Sequence, residues 1–469
     1  MEKAILKDTS LFKLNNLRRY FCDVYLKIDS STKKLLILMM LFKLSIDAGY
    51  WNIVALDKST YVQDFNLIKY IVGIVWCIIL FLGIKHNEKR PSTFFLCVIF
   101  LLQIVPITTI YSLGNQNSLY YFTICIAFLL CEALVGCIKN NVGIQRNSKI
   151  SEIIEISFIL IVLATFLAVV IKNGLPSLVA LNIYNVYDLR ENNPIDVSGY
   201  LNYFFQWSVN IIIPFLIAKC LLLKKYFLTV LLCLFEMLMY LYSGHKSILF
   251  TIPLVIICTL WSRRKNFYKE IFTTVCIGMS VLVLFACISS NQGDIFNQIF
   301  SLTGRRMMLL SANNKFVYFD YFSDNPLMGL GGIFPRWLVY IPNYYENIPY
   351  TYEISDIYFN KSEMNSNTGF IAEGFMRFGH IGILIVFLAM ALLLRQMDKL
   401  GKRTNYSFAI GIFVTQIIFL ADGHLIDSFI LGNWMILVAI LAFYTKYQRK
   451  KYEFKKYGQI KKNILSHFK

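Results

Sequence analysis

The chain has little charge for its length, and this shortage decides its class. Only 16% of its 469 residues are charged, whereas soluble proteins carry about a quarter. Apolar residues make up 57% and the mean hydropathy is +0.56. One core cannot bury so much apolar surface, so much of it must face lipid. The composition therefore excludes soluble, disordered and collagen-like proteins.

Metal-binding spacings are also missing. The 11 cysteines lie in or beside apolar runs, as Cys77 and Cys125 do, and none forms a CxxC or His-paired pattern. We interpret them as small buried hydrophobes and predict no metal and no cofactor. The net charge of +18 does not indicate a nucleic-acid partner, because the basic residues lie between apolar blocks.

Apolar runs of membrane-spanning length recur along the chain. Such runs must be helical, because an open sheet would leave edge groups unpaired in hydrocarbon. The sequence thus predicts an all-α polytopic membrane protein in contact with the lipid bilayer. Its twelve candidate spans are about 35–54, 67–84, 93–112, 119–138, 153–171, 201–219, 226–242, 247–261, 271–289, 380–395, 406–421 and 430–444.

Basic residues predict the orientation of these spans. With both termini cytoplasmic, the inner segments hold 34 of the 46 Lys and Arg, as cytoplasmic loops should. The predicted segments are a basic amino-terminal segment (1–34), spans one to nine (35–289) with an external loop (172–200), a large extracytoplasmic loop (290–379) between spans nine and ten, spans ten to twelve (380–444) and a basic tail (445–469).

The large loop 290–379 is rich in aromatic side chains. It holds Trp337 and eight tyrosines among eight acidic residues. Aromatic faces beside carboxylates suit sugar recognition, although aromatics near a membrane also form the interfacial belt.

Basic residues outside the membrane oppose the positive-inside rule, so each needs an explanation. Arg190 could pair locally with Asp188 or Glu191. Arg305 and Arg306 could be interfacial anchors, and His245 with Lys246 could be a solvated hairpin tip. Alternatively, Arg190, Lys246, Arg305 and Arg306 form a cationic bowl that binds a lipid phosphate or pyrophosphate through guanidinium forks.

Acidic residues and histidines mark further positions. Glu373 and Arg377 are spaced i,i+4, which favours a surface salt bridge, and His424 lies in the last external turn. Asp47 and Glu236 fall inside spans, where an unpaired charge costs about 2.5–3.5 kcal/mol. Each of these two carboxylates therefore requires a partner or a wet cavity.

Short motifs between about 170 and 385 resemble the O-antigen and capsular oligosaccharide repeat-unit polymerases (Wzy type). They are a Gly-Leu-Pro exit before Tyr187-Asp188-Leu189-Arg190, the hairpin 243–247, Arg305-Arg306 followed by Tyr-Phe-Asp-Tyr-Phe and Asn325-Pro326, and Asn367-Thr368-Gly369-Phe370 before Gly-His-Ile-Gly at 379–382.

The resemblance implies a glycosyltransferase of the bacterial cytoplasmic (inner) membrane. It would move a growing glycan from a polyprenyl-pyrophosphate carrier onto a lipid-linked repeat unit outside the cell membrane, in O-antigen or capsule synthesis. A flippase and a chain-length regulator are candidate partners.

The resemblance also implies roles for individual residues, and we expect the following. Arg190, Arg305 and Arg306 hold the pyrophosphate with help from Lys246, while Asn367 and Arg377 contribute to substrate binding. The candidate general bases are His245, Glu373 and His424.

Two other functions stay open at this point. An O-antigen ligase would share the topology and the donor but pass the glycan to a lipid core. A flippase for lipid-linked oligosaccharides would show internal repeats and midplane charges, and would not require a 90-residue external loop.

Overall fold

The computed structural model of the protein describes residues 29–86, 89–137, 148–176, 199–289, 294–333, 339–342, 344–346, 349–429 and 433–444. In these ranges the secondary structure is helical and no strand forms; Asp64 and Gly114 make an isolated bridge. The prediction of an all-α protein is therefore confirmed.

Fifteen helices are described in these ranges, several of them extended by π-helical turns. The π turns are Tyr50–Val54, Phe100–Ile104, Ser208–Ile212 and Ser301–Leu310, the last of which joins α10 to α11. The helices are α1 (Ser30–Val54), α2 (Leu67–Gly83), α3 (Pro91–Leu113), α4 (Ser118–Cys137), α5 (Ser148–Asn173), α6 (Tyr200–Leu222), α7 (Tyr226–Ser243), α8 (Lys246–Trp261), α9 (Phe267–Ile288), α10 (Ile295–Phe300), α11 (Ser311–Asp324), α12 (Tyr350–Phe359), α13 (Gly369–Arg403), α14 (Tyr406–Phe419) and α15 (Asn433–Phe443).

Each of the twelve predicted spans coincides with one of these helices. Eight described helices are long and apolar enough to cross a membrane, while α2, α8, α14 and α15 are apolar but shorter. A multi-pass membrane protein is thus supported by the helices, and the count of twelve spans stays a prediction.

Span ten differs from its predicted bounds. The helix that contains it, α13, begins at Gly369 rather than at residue 380, and it kinks at Phe378 and Gly379. Gly379 has a φ of +60°, which favours glycine. Close to the kink, Gly374 and Gly382 approach each other so tightly that a Cβ on Gly382 would lie 1.9 Å from the Gly374 oxygen. The kink therefore falls at the predicted start of the span.

Local sequence explains several helix ends and turns. Asp29 caps α1 by accepting the Thr32 N–H at 3.0 Å. In α3 and α6 a proline, Pro106 or Pro214, lies two residues after the last residue of a π turn. Proline lacks an N–H and crowds the preceding turn, and the wider π turn accommodates both effects. Gly244 ends α7 in the left-handed conformation.

The chain divides into two compact units. The first unit comprises Met1–Lys139, Asn266–Leu394 and Ile417–Ile430, and in it α1 packs on α9 and α2 on α3. The second comprises Asn140–Lys265, Arg395–Gln416 and Leu431–Lys469, and in it α6 packs on α7 and α8.

The two carboxylates predicted inside spans have different surroundings. In the first unit Asp47 is paired with Lys43 and accepts hydrogen bonds from Thr109 at 2.7 Å and Tyr70 at 3.1 Å. The prediction of a partner is confirmed for Asp47. In the second unit Glu236 is fully buried, and no described residue hydrogen-bonds its carboxylate oxygens.

Candidate functional site

The segment that follows α9, which the sequence predicts to be extracytoplasmic, begins with a helix. Residues 295–324 run without a break through α10, the π turn Ser301–Leu310 and α11. Phe300 is fully buried and fills the space beside two glycines, since a Cβ on Gly49 or Gly304 would lie 2.6 or 2.1 Å from its ring. Phe300 thereby packs the π turn that carries Arg305 and Arg306 against the carboxyl-terminal part of α1.

Arg305 lines a cavity of about 550 Å³ in the first unit. Its Nε donates to Ser301 Oγ at 3.0 Å, which orients an otherwise exposed guanidinium. Polar groups of Asn52, Ser289 and Asp57 also face this cavity, with apolar side chains from the ends of α1 and α9. The cavity therefore joins a cation and hydrogen-bonding groups to an apolar wall.

Asp57 reduces the net positive charge of this cavity. Hydrogen bonds from Ser59 and Thr60 and the charge of Lys361 lower the pKa of Asp57, although partial burial opposes them. Asp57 is therefore anionic at neutral pH. An anionic ligand at Arg305 would have to lie on the side of the guanidinium that faces away from Asp57.

Beside the arginine pair, the first turn of α11 is buried and polar. Asn313 Nδ2 donates to the Thr60 oxygen at 3.0 Å, and Asn314 Nδ2 donates to the Asn367 oxygen at 2.9 Å. Ser311 Oγ donates to the Ala421 oxygen at 2.8 Å. Side chains of one helical turn thus donate hydrogen bonds to three separate loops.

Lys315 is fully buried in the same turn. Its Nζ donates to Ser311 O and Oγ, both at 2.9 Å, and to Ala421 O at 3.1 Å. Burial lowers the pKa of Lys315 to about 7, partly offset by Asp422. Burial raises the pKa of Asp422, opposed by Lys315, a Ser311 hydrogen bond and Arg306. The ammonium and carboxyl groups thus share one poorly solvated site.

Glu373 and Arg377 form a second buried group, on the first part of α13. Glu373 is 0% exposed and Arg377 2%, with Nε and Oε1 3.9 Å apart. Arg377 Nη1 also donates to the Gly329 and Gly331 oxygens, at 3.1 and 3.0 Å. The expectation of a surface salt bridge is therefore wrong: the pair is enclosed because the loops around Gly329 and Leu425 cover it.

Glu373 also orders the loop that carries His424. Its Oε2 accepts the N–H groups of Leu425 and Ile426 at 2.6 and 3.0 Å. His424 Nδ1 lies 3.5 Å from Glu373 Oε1, and 30% of the His424 side chain is exposed. The carboxylate thus faces the inner nitrogen of an imidazole that reaches solvent.

The predicted site residues fall into three groups. Arg305, Arg306, Asn367, Glu373, Arg377 and His424 belong to the first unit, and the Asn367 side chain is exposed. His245 and Lys246 belong to the second unit, where His245 is exposed after the Gly244 turn and Lys246 begins α8. Arg190 lies outside the described residues. The four-residue cationic bowl therefore stays a prediction.

Lys315, Asn313 and Asn314 are site residues that the sequence did not single out. The signal available in the sequence was the mostly polar segment 311–315, which lies directly before the aromatic-rich segment 316–322. A lysine at such a position has little access to water.

No group of three or more His, Cys, Asp or Glu in the described part of the chain is arranged to hold a metal ion. Comparison of the chain with protein-family models, curated proteins and solved structures found no match.

Proposed function

We propose that this protein is a polysaccharide polymerase. It transfers a growing glycan from a polyprenyl-pyrophosphate carrier onto a lipid-linked repeat unit on the extracytoplasmic face of a bacterial cytoplasmic membrane. The observation that carries the proposal is the π turn Ser301–Leu310. It places Arg305 at a cavity beside the ends of two apolar helices, and it runs directly into the buried turn at Ser311.

The cavity suits a lipid phosphate or pyrophosphate. Guanidinium groups bind phosphate oxygens through parallel hydrogen bonds, and they stabilise charge that develops on a leaving pyrophosphate. The exposed apolar side chains Leu284, Ile288, Ile295 and Leu302 on α9, α10 and the π turn suit a lipid tail. Pyrophosphate binding by Arg190 and Lys246 remains a prediction from the sequence.

His424 is the general base that the geometry favours. A base must reach the acceptor hydroxyl, and the exposed part of the imidazole can do so. Glu373 is enclosed and already accepts two backbone N–H groups, so we assign it a positioning role. A carboxylate facing Nδ1 orients an imidazole and stabilises its charged form. His245 remains an alternative base.

The proposed reaction is one group transfer. The acceptor oxygen forms a bond to the anomeric carbon of the donor glycan, and the bond from that carbon to the pyrophosphate oxygen breaks. The pyrophosphate leaves on its carrier next to Arg305 and Arg306. The acceptor proton passes to His424.

Alanine variants of Arg305, Arg306 and His424 test the proposal in cells that make the polysaccharide. Loss of a charge-assisted contact made in the transition state should cost about 2–4 kcal/mol, roughly 30- to 1,000-fold in rate. Arg305→Lys should restore only part of the activity, because an ammonium cannot form the bidentate fork. Lys34→Ala is the matched control, since Lys34 is exposed near the start of α1 and does not line the cavity.

The readout is the glycan ladder at matched expression. Single repeat units on the carrier or core are expected from the damaged variants. Normal ladders from Arg305→Ala and His424→Ala would refute the assignment. Long polymer that accumulates on the carrier would instead indicate a ligase.

A further inference from the structure

The cavity beside Arg305 carries opposite charges at two places on its wall. Arg305 and Asp57 both line it; Arg305 is exposed and Asp57 is partly exposed. The rest of the described wall is neutral and consists of amide, hydroxyl, thiol and apolar side chains. Its volume of about 550 Å³ lies within the usual range for small-molecule sites. The cavity therefore suits a ligand that meets a cation at one place and an anion at another.

The Arg305 guanidinium is oriented and keeps its terminal nitrogens available. Its Nε donates to Ser301 Oγ at 3.0 Å. No described residue forms a hydrogen bond with either Nη atom of Arg305. The Nη groups of a guanidinium can bind two oxygens of one phosphate in parallel. Arg305 therefore presents a phosphate site to the cavity.

Asp57 is an acceptor that is held in a turn shortly after α1. Its backbone oxygen accepts the N–H groups of Thr60 and Tyr61, at 3.1 and 3.0 Å. Its carboxylate accepts the Ser59 hydroxyl at 2.6 Å on Oδ1 and the Thr60 hydroxyl at 3.0 Å on Oδ2. Each carboxylate oxygen has a second lone pair. Asp57 can therefore accept a ligand hydroxyl without losing these bonds.

The two charges together limit the chemistry of the ligand. A phosphate bound by Arg305 has to stay away from the Asp57 carboxylate, because like charges at short range repel each other. The ligand consequently needs an uncharged spacer next to the phosphate, and the spacer has to carry a hydrogen-bond donor for Asp57. A sugar joined to phosphate through its anomeric oxygen meets both requirements, since its ring is neutral and bears hydroxyl groups.

A zwitterionic phospholipid headgroup is the competing ligand, because its ammonium could pair with Asp57. The positive charge of Lys361 already acts on Asp57, and the exposed Lys58 follows Asp57 in the chain. Cations near the carboxylate repel a further cation, whereas they do not repel a neutral hydroxyl. The surroundings of Asp57 therefore favour a sugar over an ammonium group.

We propose that this cavity binds a glycosyl phosphate with a neutral sugar. The Nη atoms of Arg305 bind the phosphate, and a hydroxyl of the attached sugar donates to Asp57. The inference rests on the proposed function and adds to it a specificity-determining residue, Asp57, for the sugar that adjoins the carrier pyrophosphate. An acidic sugar at that position is disfavoured by the Asp57 carboxylate.

Cys287 provides a reporter of ligand binding that does not depend on activity. Cys287 is exposed, lines the same cavity and forms a hydrogen bond with the Asn52 side chain. A ligand in the cavity should slow the alkylation of this thiol by N-ethylmaleimide. The rate is measured on the purified full-length protein from the mass of the peptide that contains Cys287, so the other cysteines do not contribute.

The probes are glucosyl phosphate and galactosyl phosphate, compared with inorganic phosphate and phosphoethanolamine. A hydrogen bond to a charged group corresponds to roughly 10- to 150-fold in affinity. The better of the two glycosyl phosphates should therefore protect Cys287 at a concentration lower than that of inorganic phosphate by this factor. Arg305→Ala should abolish protection by every probe.

Asp57→Asn should remove most of the difference between glycosyl phosphate and inorganic phosphate. The amide keeps the size of the side chain, but it is a weaker acceptor and no longer repels phosphate. Asp324→Asn is the matched control and should behave like the wild type, since Asp324 is exposed on α11 and does not line the cavity. The alkylation rate of Cys287 without ligand shows whether the cavity of each variant is intact.

The outcomes separate this inference from the proposed function. Equal protection by inorganic phosphate and both glycosyl phosphates in the wild type would overturn the inference, and so would protection by phosphoethanolamine alone. Selective protection that requires Asp57, with no polymer formed by the wild type, would support the sugar site and refute the function. Wild-type amounts of polymer from Asp57→Asn, with loss of polymer in Arg305→Ala, would overturn the role of Asp57 and leave the function standing.

Discussion

Replacing Glu373 with Gln should destabilise the first unit strongly, and removing Arg377 as well should cost less than the two changes added together. Gln keeps the volume and one oxygen for the Leu425 and Ile426 N–H groups, so the substitution isolates the loss of charge. Glu373→Gln leaves Arg377, which is 2% exposed, without its counter-ion. Breaking a buried ion pair in this way costs about 3–5 kcal/mol.

Arg377→Met should also lower the free energy of unfolding. It leaves the Gly329 and Gly331 oxygens without the Nη1 donor, and each unsatisfied buried group costs about 1–3 kcal/mol. In the double variant Glu373→Gln/Arg377→Met no charge of the pair remains. We therefore expect a coupling free energy of about 1–3 kcal/mol, the range for residues in one network.

The assay is thermal unfolding of the purified protein in detergent, at one fixed scan rate because membrane proteins often unfold irreversibly. For domains of 150–250 residues 1 kcal/mol corresponds to about 2–4 °C, so Glu373→Gln should lower the apparent melting temperature by on the order of 10 °C. Glu363→Gln, at an exposed position of the same unit, should change it little.

Additive effects of the two substitutions would refute the reasoning, because they would mean that Glu373 and Arg377 do not share one buried site. A Glu373→Gln variant as stable as Glu363→Gln would refute it as well.

The remaining predictions concern the same unit and the membrane topology. Gly369→Ala should destabilise the protein by several kcal/mol more than Gly174→Ala. Both glycines have a φ of +72°, but only a Cβ on Gly369 would meet a backbone oxygen, at 2.2 Å. Thermal unfolding measures the difference, and equal shifts in melting temperature would contradict this prediction. Burial lowers the pKa of Lys315 to about 7, below its ordinary 10.5, so the folded state loses this proton first as the pH rises. The wild type should therefore gain stability relative to Lys315→Met between about pH 7 and pH 10 and show a constant difference below pH 7; a difference that does not change with pH would contradict this. Reporter fusions at Lys265 should read cytoplasmic and fusions at Tyr345 external; an external signal at Lys265 would invert the assignment of α8.

The helices can be predicted well from the sequence because the apolar segments are surrounded by lipid. A long apolar run in hydrocarbon has to satisfy its backbone internally, so each predicted span coincides with a helix. The kink at Gly379 and the helical course of 295–324 were harder to foresee. They depend on glycine contacts such as that of Gly304 with Phe300, which composition does not encode.

The site was only partly predictable. Arg305 and Arg306 stand out because basic residues are unexpected outside, and the i,i+4 spacing pairs Glu373 with Arg377. Burial of that pair was missed, since it depends on N–H groups of Leu425 and Ile426, far along the chain. A buried lysine such as Lys315 looks like a solvated charge until the loops around it are known.

Reconstitution tests the central claim most directly. The purified protein is placed in vesicles with lipid-linked repeat units as the sole glycan, and products are separated by mass. The account predicts polymer attached to carrier lipid, one freed carrier pyrophosphate for each bond formed, and loss of both in Arg305→Ala. Repeat units that only cross the bilayer, with no new glycosidic bond, would contradict it.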